Sequence, residues 1–149
     1  MQLLGKMPCF NDVSLWEAVE VHFFKRAQLT GAYLAVAING KDLGRFEDLD
    51  DLTIFADNLV PHVLRVDNIL RYPAKLSTRI ESGDLIAAGS REEIEIRACA
   101  LHSVELIKAA LNESGQPINA MTLDFFLWNR GQQPAYKSIP RHRTRTLFY

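Results

Sequence analysis

Ser90-Arg91-Glu92-Glu93, followed directly by IEIRACALHSVELIKAALN, narrows the folds open to this chain more than any other stretch. The four residues have capping-box spacing. The Ser90 hydroxyl can accept from the backbone N–H of Glu93, and the Glu93 side chain can reach back to the N–H of Ser90. A helix from residue 90 to about residue 112 follows. Glu93 and Arg97 are one turn apart and spaced for an ion pair, and Glu92, Glu93 and Lys108 are expected on a solvated face. Strand-type alternation is nearly absent elsewhere, so the chain reads as all-α with mostly short connections.

Trp16, Val19, Phe23, Ala27 and Leu34 recur at helical spacing and predict one long helix over 13–38. Its later turns are apolar all round (Ala35, Val36, Ile38), which sends it into the interior, and Asn39-Gly40 stops it. A Gly- and Asp-rich loop covers 39–50, and a short helix is expected over 50–58. Pro61 then restarts helix, since proline fits a first turn. A further short helix begins at Pro73 and ends near Gly83. Gly115-Gln116-Pro117 breaks the chain, Asn119 can cap a last helix to about residue 130, 131–138 is loop, and 139–149 is an irregular or extended tail.

With 149 residues the chain is long enough for one domain around one core. A formal net charge of −1 gives it no general attraction for nucleic acid or an anionic membrane. Charge is uneven, however: RHRTR at 141–145 faces EDLDD at 47–51 as a candidate partner, or else meets a phosphate. Cys9 and Cys99 form no CxxC pair and share no metal-ligand spacing with the histidines, so two reduced thiols are expected and no metal. No leader and no bilayer-length apolar run is apparent, which points to a soluble cytoplasmic protein. The absence of GxGxxG, Walker-type, GxSxG and HExxH motifs weighs against the commonest dinucleotide, nucleoside-triphosphate, serine-hydrolase and zinc-protease chemistries.

Two acids stand out because their neighbours are apolar. Asp57 lies within LTIFADNLVP and Asp124 within MTLDFFLW. Desolvating a carboxylate costs several kcal/mol, on the order of the whole stability of a domain, unless it is compensated. Asp57 either caps the helix opened by Pro61 or faces a sugar carbon, where a carboxylate stabilises an oxocarbenium-like state. Asp124 either pairs with Arg143 or Arg145, or accepts from the N–H groups of a purine-like base. Phe55, Phe125, Phe126 and Trp128 are core residues or stacking surfaces for such a base. Lys25-Arg26 and the basic tail either hold a phosphate or pair with Asp48, Asp50 and Asp51. His22, His62 and His102 lack metal spacing, and His142 reads as structural.

Taken in order, FFKRAQ (23–28), LTIFADNLVPHVLR (52–65), GSREEIEIRACALHSVELI (89–107), INAMTLDFFLWNR (118–130) and IPRHRTRTLFY (139–149) resemble the queuosine salvage protein family over nearly the whole chain. The resemblance implies a helical domain like the catalytic part of helix-hairpin-helix DNA glycosylases. It also implies hydrolysis of queuosine 5′-phosphate to release queuine, without a metal or organic cofactor. Matched residue by residue, Asp57 is the nucleophile or transition-state stabiliser, and Ile54 and Phe55 are pocket positions. Asp124, Phe125 and Asn129 contact the base. Asn129 stands where the family has Asp, so a donor joins the acceptor there. Lys25 and Arg143 are candidates for the phosphate. The family's long N-terminal portion is missing, so 1–149 is expected to be a single domain equivalent to the C-terminal portion, with an exposed apolar face where the missing portion would pack. The other readings are a module that binds queuosine nucleotide or queuine without cleaving it, a partner chain supplying the missing portion, and a DNA-lesion glycosylase, which the net charge disfavours.

Overall fold

The computed structural model describes residues 4–149. The described part is mainly helical with one small sheet: β1 (Val13–Trp16), β2 (Val19–His22), α1 (Lys25–Ala37), α2 (Val60–Val66), α3 (Ala74–Glu81), α4 (Arg91–Glu113), α5 (Ala120–Gly131) and α6 (Pro134–Lys137). All-α therefore needs correcting. Residues 13–22 form an antiparallel hairpin, with Val13 opposite His22 and Trp16 opposite Val19, and helix begins only at Lys25. The hairpin turn puts Glu17 and Ala18 at positive φ (52° and 125°), the twist that two-residue hairpin loops require. Ordinarily Asn-Gly supplies it. Asn39 and Gly40, both at positive φ, follow the end of α1 as expected.

α4 starts as the sequence indicates, with Ser90 Oγ accepting from Glu93 N at 3.3 Å. The reciprocal half of the box is not made. Glu93 is only 2% exposed rather than solvated, and its carboxylate is turned to Arg97 at 3.2 Å and to the Tyr149 hydroxyl at 2.8 Å. Asn119 caps α5 through Thr122 N at 2.9 Å. Residues 134–137, expected as loop, make one helical turn begun by Pro134.

α2, α4 and α5 pack around the main core, which includes Ile54, Val60, Leu64, Ile94, Val104 and Leu123. α2 and α5 approach so closely that a Cβ on Gly131 would stand 2.9 Å from Leu59 and Val63. A smaller apolar cluster of Ala32, Leu52 and Phe55, with Leu29 and Phe125 against it, joins α1 to α5. Cys9 and Cys99 are exposed free thiols. Among the described residues no helix is long and apolar enough to cross a membrane.

The segment 52–57 is irregular, not the expected helix, and Ala56 N turns back to donate to Ile54 O at 3.0 Å. A buried segment outside helix and sheet must find its remaining hydrogen bonds elsewhere. Here side chains from three helices supply them. Gln28 Oε1 of α1 accepts from Thr53 N at 2.9 Å, Asp124 Oδ1 of α5 accepts from Phe55 N at 2.8 Å, and Arg97 Nε of α4 donates to Ala56 O at 2.9 Å. This arrangement brings Asp57 to the site.

Candidate functional site

A cavity of about 460 Å³ lies between α1, the segment 52–57 and α5. Lys25, Leu29, Tyr33 and Val36 line it from α1, Phe55 and Asp57 from the segment, and Asp124, Phe125, Trp128 and Asn129 from α5. Helical geometry explains both walls. Residues 25, 29, 33 and 36 share one face of α1, and 124–125 with 128–129 share one face of α5. Phe125 meets Tyr33 nearly parallel (centroids 6.0 Å, 24°) and Phe55 edge-on (6.0 Å, 60°). Flat aromatic faces thus flank two carboxylates.

Asp57 is 8% exposed and uses its two oxygens differently. Oδ1 accepts from Leu59 N at 2.7 Å and Val60 N at 3.2 Å, which holds the entry to α2. Oδ2 lies 3.8 Å from Lys25 Nζ. Capping and a cavity-facing charge, alternatives from sequence, coexist because a carboxylate has acceptors to spare.

Asp124, 4% exposed, makes no pair with Arg143 or Arg145. Phe55 N–H is its hydrogen-bond donor. Burial pushes its carboxyl up to about 7; the Phe55 hydrogen bond and Lys25 pull it down, while Asp57 adds to the rise. Near neutral pH this group therefore exchanges between a pure acceptor and a form that also donates. Two acids and one lysine in a partly enclosed space can bind a polar edge and stabilise positive charge developing near Asp57.

The structure brings Asp57, Phe55, Asp124, Phe125 and Asn129 to one cavity and leaves Ile54 out of its lining. Ile54, 1% exposed, enters the main core while Phe55 faces the cavity. Asn129 Nδ2 donates to Phe125 O at 2.8 Å, leaving its carbonyl oxygen without a protein partner. Lys25, read from sequence as a phosphate ligand, instead sits beside Asp57. Trp128, one of the candidate stacking residues, lies on this wall, and Tyr33 was not anticipated there, although its i, i+8 relation to Lys25 carries the signal. Arg97, read only as a partner of Glu93, also holds the peptide before Asp57. His142 is buried, and burial with Arg97 nearby pushes it down to about 4, as suits a structural residue. Among the described residues no three His, Cys, Asp or Glu side chains are grouped to hold a metal ion.

A second, larger hollow of about 1060 Å³ shares Asp57 and Trp128 with the first and runs toward α3, α6 and the tail. The two hollows meet at Asp57 and Trp128. Among known proteins, the profile of the queuosine salvage protein family matches residues 1–149, and the chain belongs to that family. A protein of Sphaerobacter thermophilus named queuosine 5′-phosphate N-glycosylase/hydrolase is 44% identical over 142 residues, covering 95% of this chain and 44% of that protein. Proteins of the same name are 37% identical in Dictyostelium discoideum, over 94% of this chain and 44% of theirs, and 35% identical in Bos taurus, over 99% and 46%. The chain thus spans less than half the length of these relatives.

Proposed function

We propose that this chain carries the catalytic groups for hydrolysis of the N-glycosidic bond of queuosine 5′-phosphate, releasing queuine for salvage. The observation that carries the reading is the convergence of Asp57 and Asp124, from separate segments, on one aromatic-walled cavity beside Lys25. In this reading the deazaguanine packs against the aromatic wall that Phe55 and Phe125 form. Asp124 and the free oxygen of Asn129 take its amino and ring N–H groups. Asp57 Oδ2 faces the sugar C1′. As the C1′–N bond breaks, its electron pair leaves with the base, Asp57 stabilises the oxocarbenium ion, and water adds to C1′. The departing nitrogen gains a proton, and water supplies the hydroxyl. Lys25 orients the Asp57 side chain. No cofactor has a step in this scheme. Ile54 supports the pocket from the core side.

The same reading makes residues 1–149 one domain, equivalent to the C-terminal portion of a helix-hairpin-helix glycosylase-like fold working in the cytoplasm on a small nucleotide. Residues 1–3 of that span lie outside the described residues. Incubation with queuosine 5′-phosphate and detection of queuine by mass spectrometry is the test. Release by the wild type and its loss in Asp57→Asn is the expected result, and equal release by both excludes Asp57 from the chemistry.

A second reading is favoured by Tyr33 (57% exposed), Val36 (55%) and Trp128 (45%) on the cavity rim. In it residues 1–149 bind queuosine nucleotide or queuine, and cleavage awaits further polypeptide packed over that rim. Calorimetric binding without queuine release distinguishes this case.

A further inference from the structure

Gln28 of α1 lines neither hollow, yet it bonds two of the elements that form the cavity. Its side chain is buried and its amide is used at both ends. Oε1 accepts from Thr53 N at 2.9 Å. Nε2 donates to Thr53 Oγ1 and to Phe23 O, each at 2.9 Å. An amide carries donors and an acceptor on one carbon, so a single side chain can tie together two stretches of backbone that no ladder joins.

One of those stretches is strained. Phe24, immediately before α1, has φ 46° and ψ 34°, a left-handed conformation unfavourable for a bulky residue. Such a conformation persists only where its surroundings over-determine it, and here they do. Asp12 O accepts from Phe23 N at 2.9 Å and Phe24 N at 3.2 Å, Asp12 Oδ2 accepts from Lys25 N at 3.2 Å, and Gln28 takes the Phe23 carbonyl. Starting a helix needs no strained residue, since an Asn or Ser cap does it without one. The strain instead fixes how the chain enters α1 at Lys25, whose Nζ ends 3.8 Å from Asp57 Oδ2. The amide that ties down Phe23 also holds Thr53, one short span before Asp57. The base wall is joined separately, by Phe55 N donating to Asp124 Oδ1.

We propose that Gln28 is a positioning residue for the glycosidic cleavage: it holds the strained start of α1 against the segment 52–57 and so sets the alignment of Lys25 with Asp57, while the Asp124–Phe55 bond sets the base wall. This deepens the reading above and rests on it, since Asp57 is taken to face C1′. Two separate fastenings predict two separable effects. Loss of the Gln28 amide should slow turnover and spare the grip on the base, because misplacing a reacting group by about 1 Å costs on the order of a hundredfold in rate.

Gln28→Met in the full chain keeps the length of the side chain and removes every amide bond. Queuine release is measured at saturating queuosine 5′-phosphate and queuine affinity by calorimetry, with the folded fraction taken from urea unfolding. The expected result is a kcat per folded molecule lower by about ten- to a hundredfold, with KM and queuine affinity unchanged. Thr53→Val removes the hydroxyl alone, leaves the backbone N–H of that residue on Gln28, and should slow turnover less. A Gln28→Met protein that is less stable but turns over normally once folded overturns the proposal, and so does a loss of queuine affinity that matches the loss of kcat. If Gln28→Met does not fold, Thr53→Val decides, and wild-type turnover in it overturns the proposal. A wild type that binds queuine but releases none refutes the placing of C1′ at Asp57. Amide exchange then judges Gln28: faster exchange at Thr53 N–H with Phe55 N–H still protected supports the two fastenings, and equal acceleration at both overturns them. A wild type that neither binds queuine nor releases it overturns both readings.

Discussion

Two buried ionic clusters lie within one fold, and they are finished to different degrees. Around Arg97 every partner is in place. Its guanidinium binds Asp12 through two bonds of 3.1 and 2.5 Å, Glu93 at 3.2 Å and Ala56 O at 2.9 Å. Its two faces are covered by Phe23 and Tyr149, at 3.9 and 4.7 Å from the ring centroids. Around Asp57 and Asp124 the partners are few: a lysine at 3.8 Å and three backbone N–H groups. Charges held for structure are satisfied to completion, whereas charges held for a ligand keep bonding capacity in reserve. The closed cluster also positions the open one from both sides. Asp12 Oδ2 accepts from Lys25 N at 3.2 Å, at the start of α1, and Arg97 grips the residue before Asp57.

The comparison breaks first at Arg97. Arg97→Ala leaves Asp12 and Glu93 buried without their cation, which costs about 3–5 kcal/mol. Urea unfolding measures it, and a loss under 1 kcal/mol would show that the cluster is not the keystone described. Asp57→Asn should do the reverse. The amide oxygen still accepts from Leu59 N and Val60 N, so stability should change by less than about 1 kcal/mol, while queuine release falls about 100- to 1000-fold. A variant that loses stability and activity together would place Asp57 among the structural charges.

Asp124 sharpens the contrast through pH. An unfolded aspartate loses its proton near 3.8, and the folded protein keeps this one until about 7. Between those values the folded state holds the additional proton, so Asp124 makes stability fall as pH rises, by at most about 1.4 kcal/mol per pH unit. The contribution is most favourable below 3.8 and is lost by the time pH passes 7. Asp124→Asn keeps an oxygen for Phe55 N and removes the titration. Urea midpoints between pH 4 and 7 should therefore decline less steeply in the variant. An unchanged slope would mean that Asp124 is no more strained than a surface acid.

Much of this was legible in the sequence wherever the cause was local. Ser90 and Asn119 announce α4 and α5 because a cap acts within three residues, and Asp57 and Asp124 stood out because their immediate neighbours are apolar. The failures have non-local causes. Trp16, Val19 and Phe23 mimic a helical stripe, and the hairpin that holds them turns on Glu17 and Ala18 at positive φ, without the Asn-Gly that would have marked it. Residues 52–57 read as helix because their true hydrogen-bond partners, Gln28, Arg97 and Asp124, are 25 to 69 residues away. Ile54, placed at the pocket by the family resemblance alone, packs into the main core and does not line the cavity.

The smallest effect is expected at the outer edge of the closed cluster. Tyr149 donates its hydroxyl to Glu93 Oε1 at 2.8 Å and lays its ring over Arg97. Tyr149→Phe removes the first contact and keeps the second. Glu93 Oε1 retains Arg97 Nη1 at 3.2 Å and Glu93 Oε2 retains Gly89 N at 3.2 Å, so no buried acceptor is stranded and the cost should be about 1 kcal/mol. Tyr149→Ala uncovers the guanidinium face as well and should cost more, by roughly the 1–2 kcal/mol of a desolvated cation–π contact. If the two variants unfold at the same urea concentration, the ring contributes nothing beyond its hydroxyl. If Tyr149→Phe alone costs several kcal/mol, the Arg97 cluster has no redundancy, and the distinction between the two clusters reduces to the number of their partners.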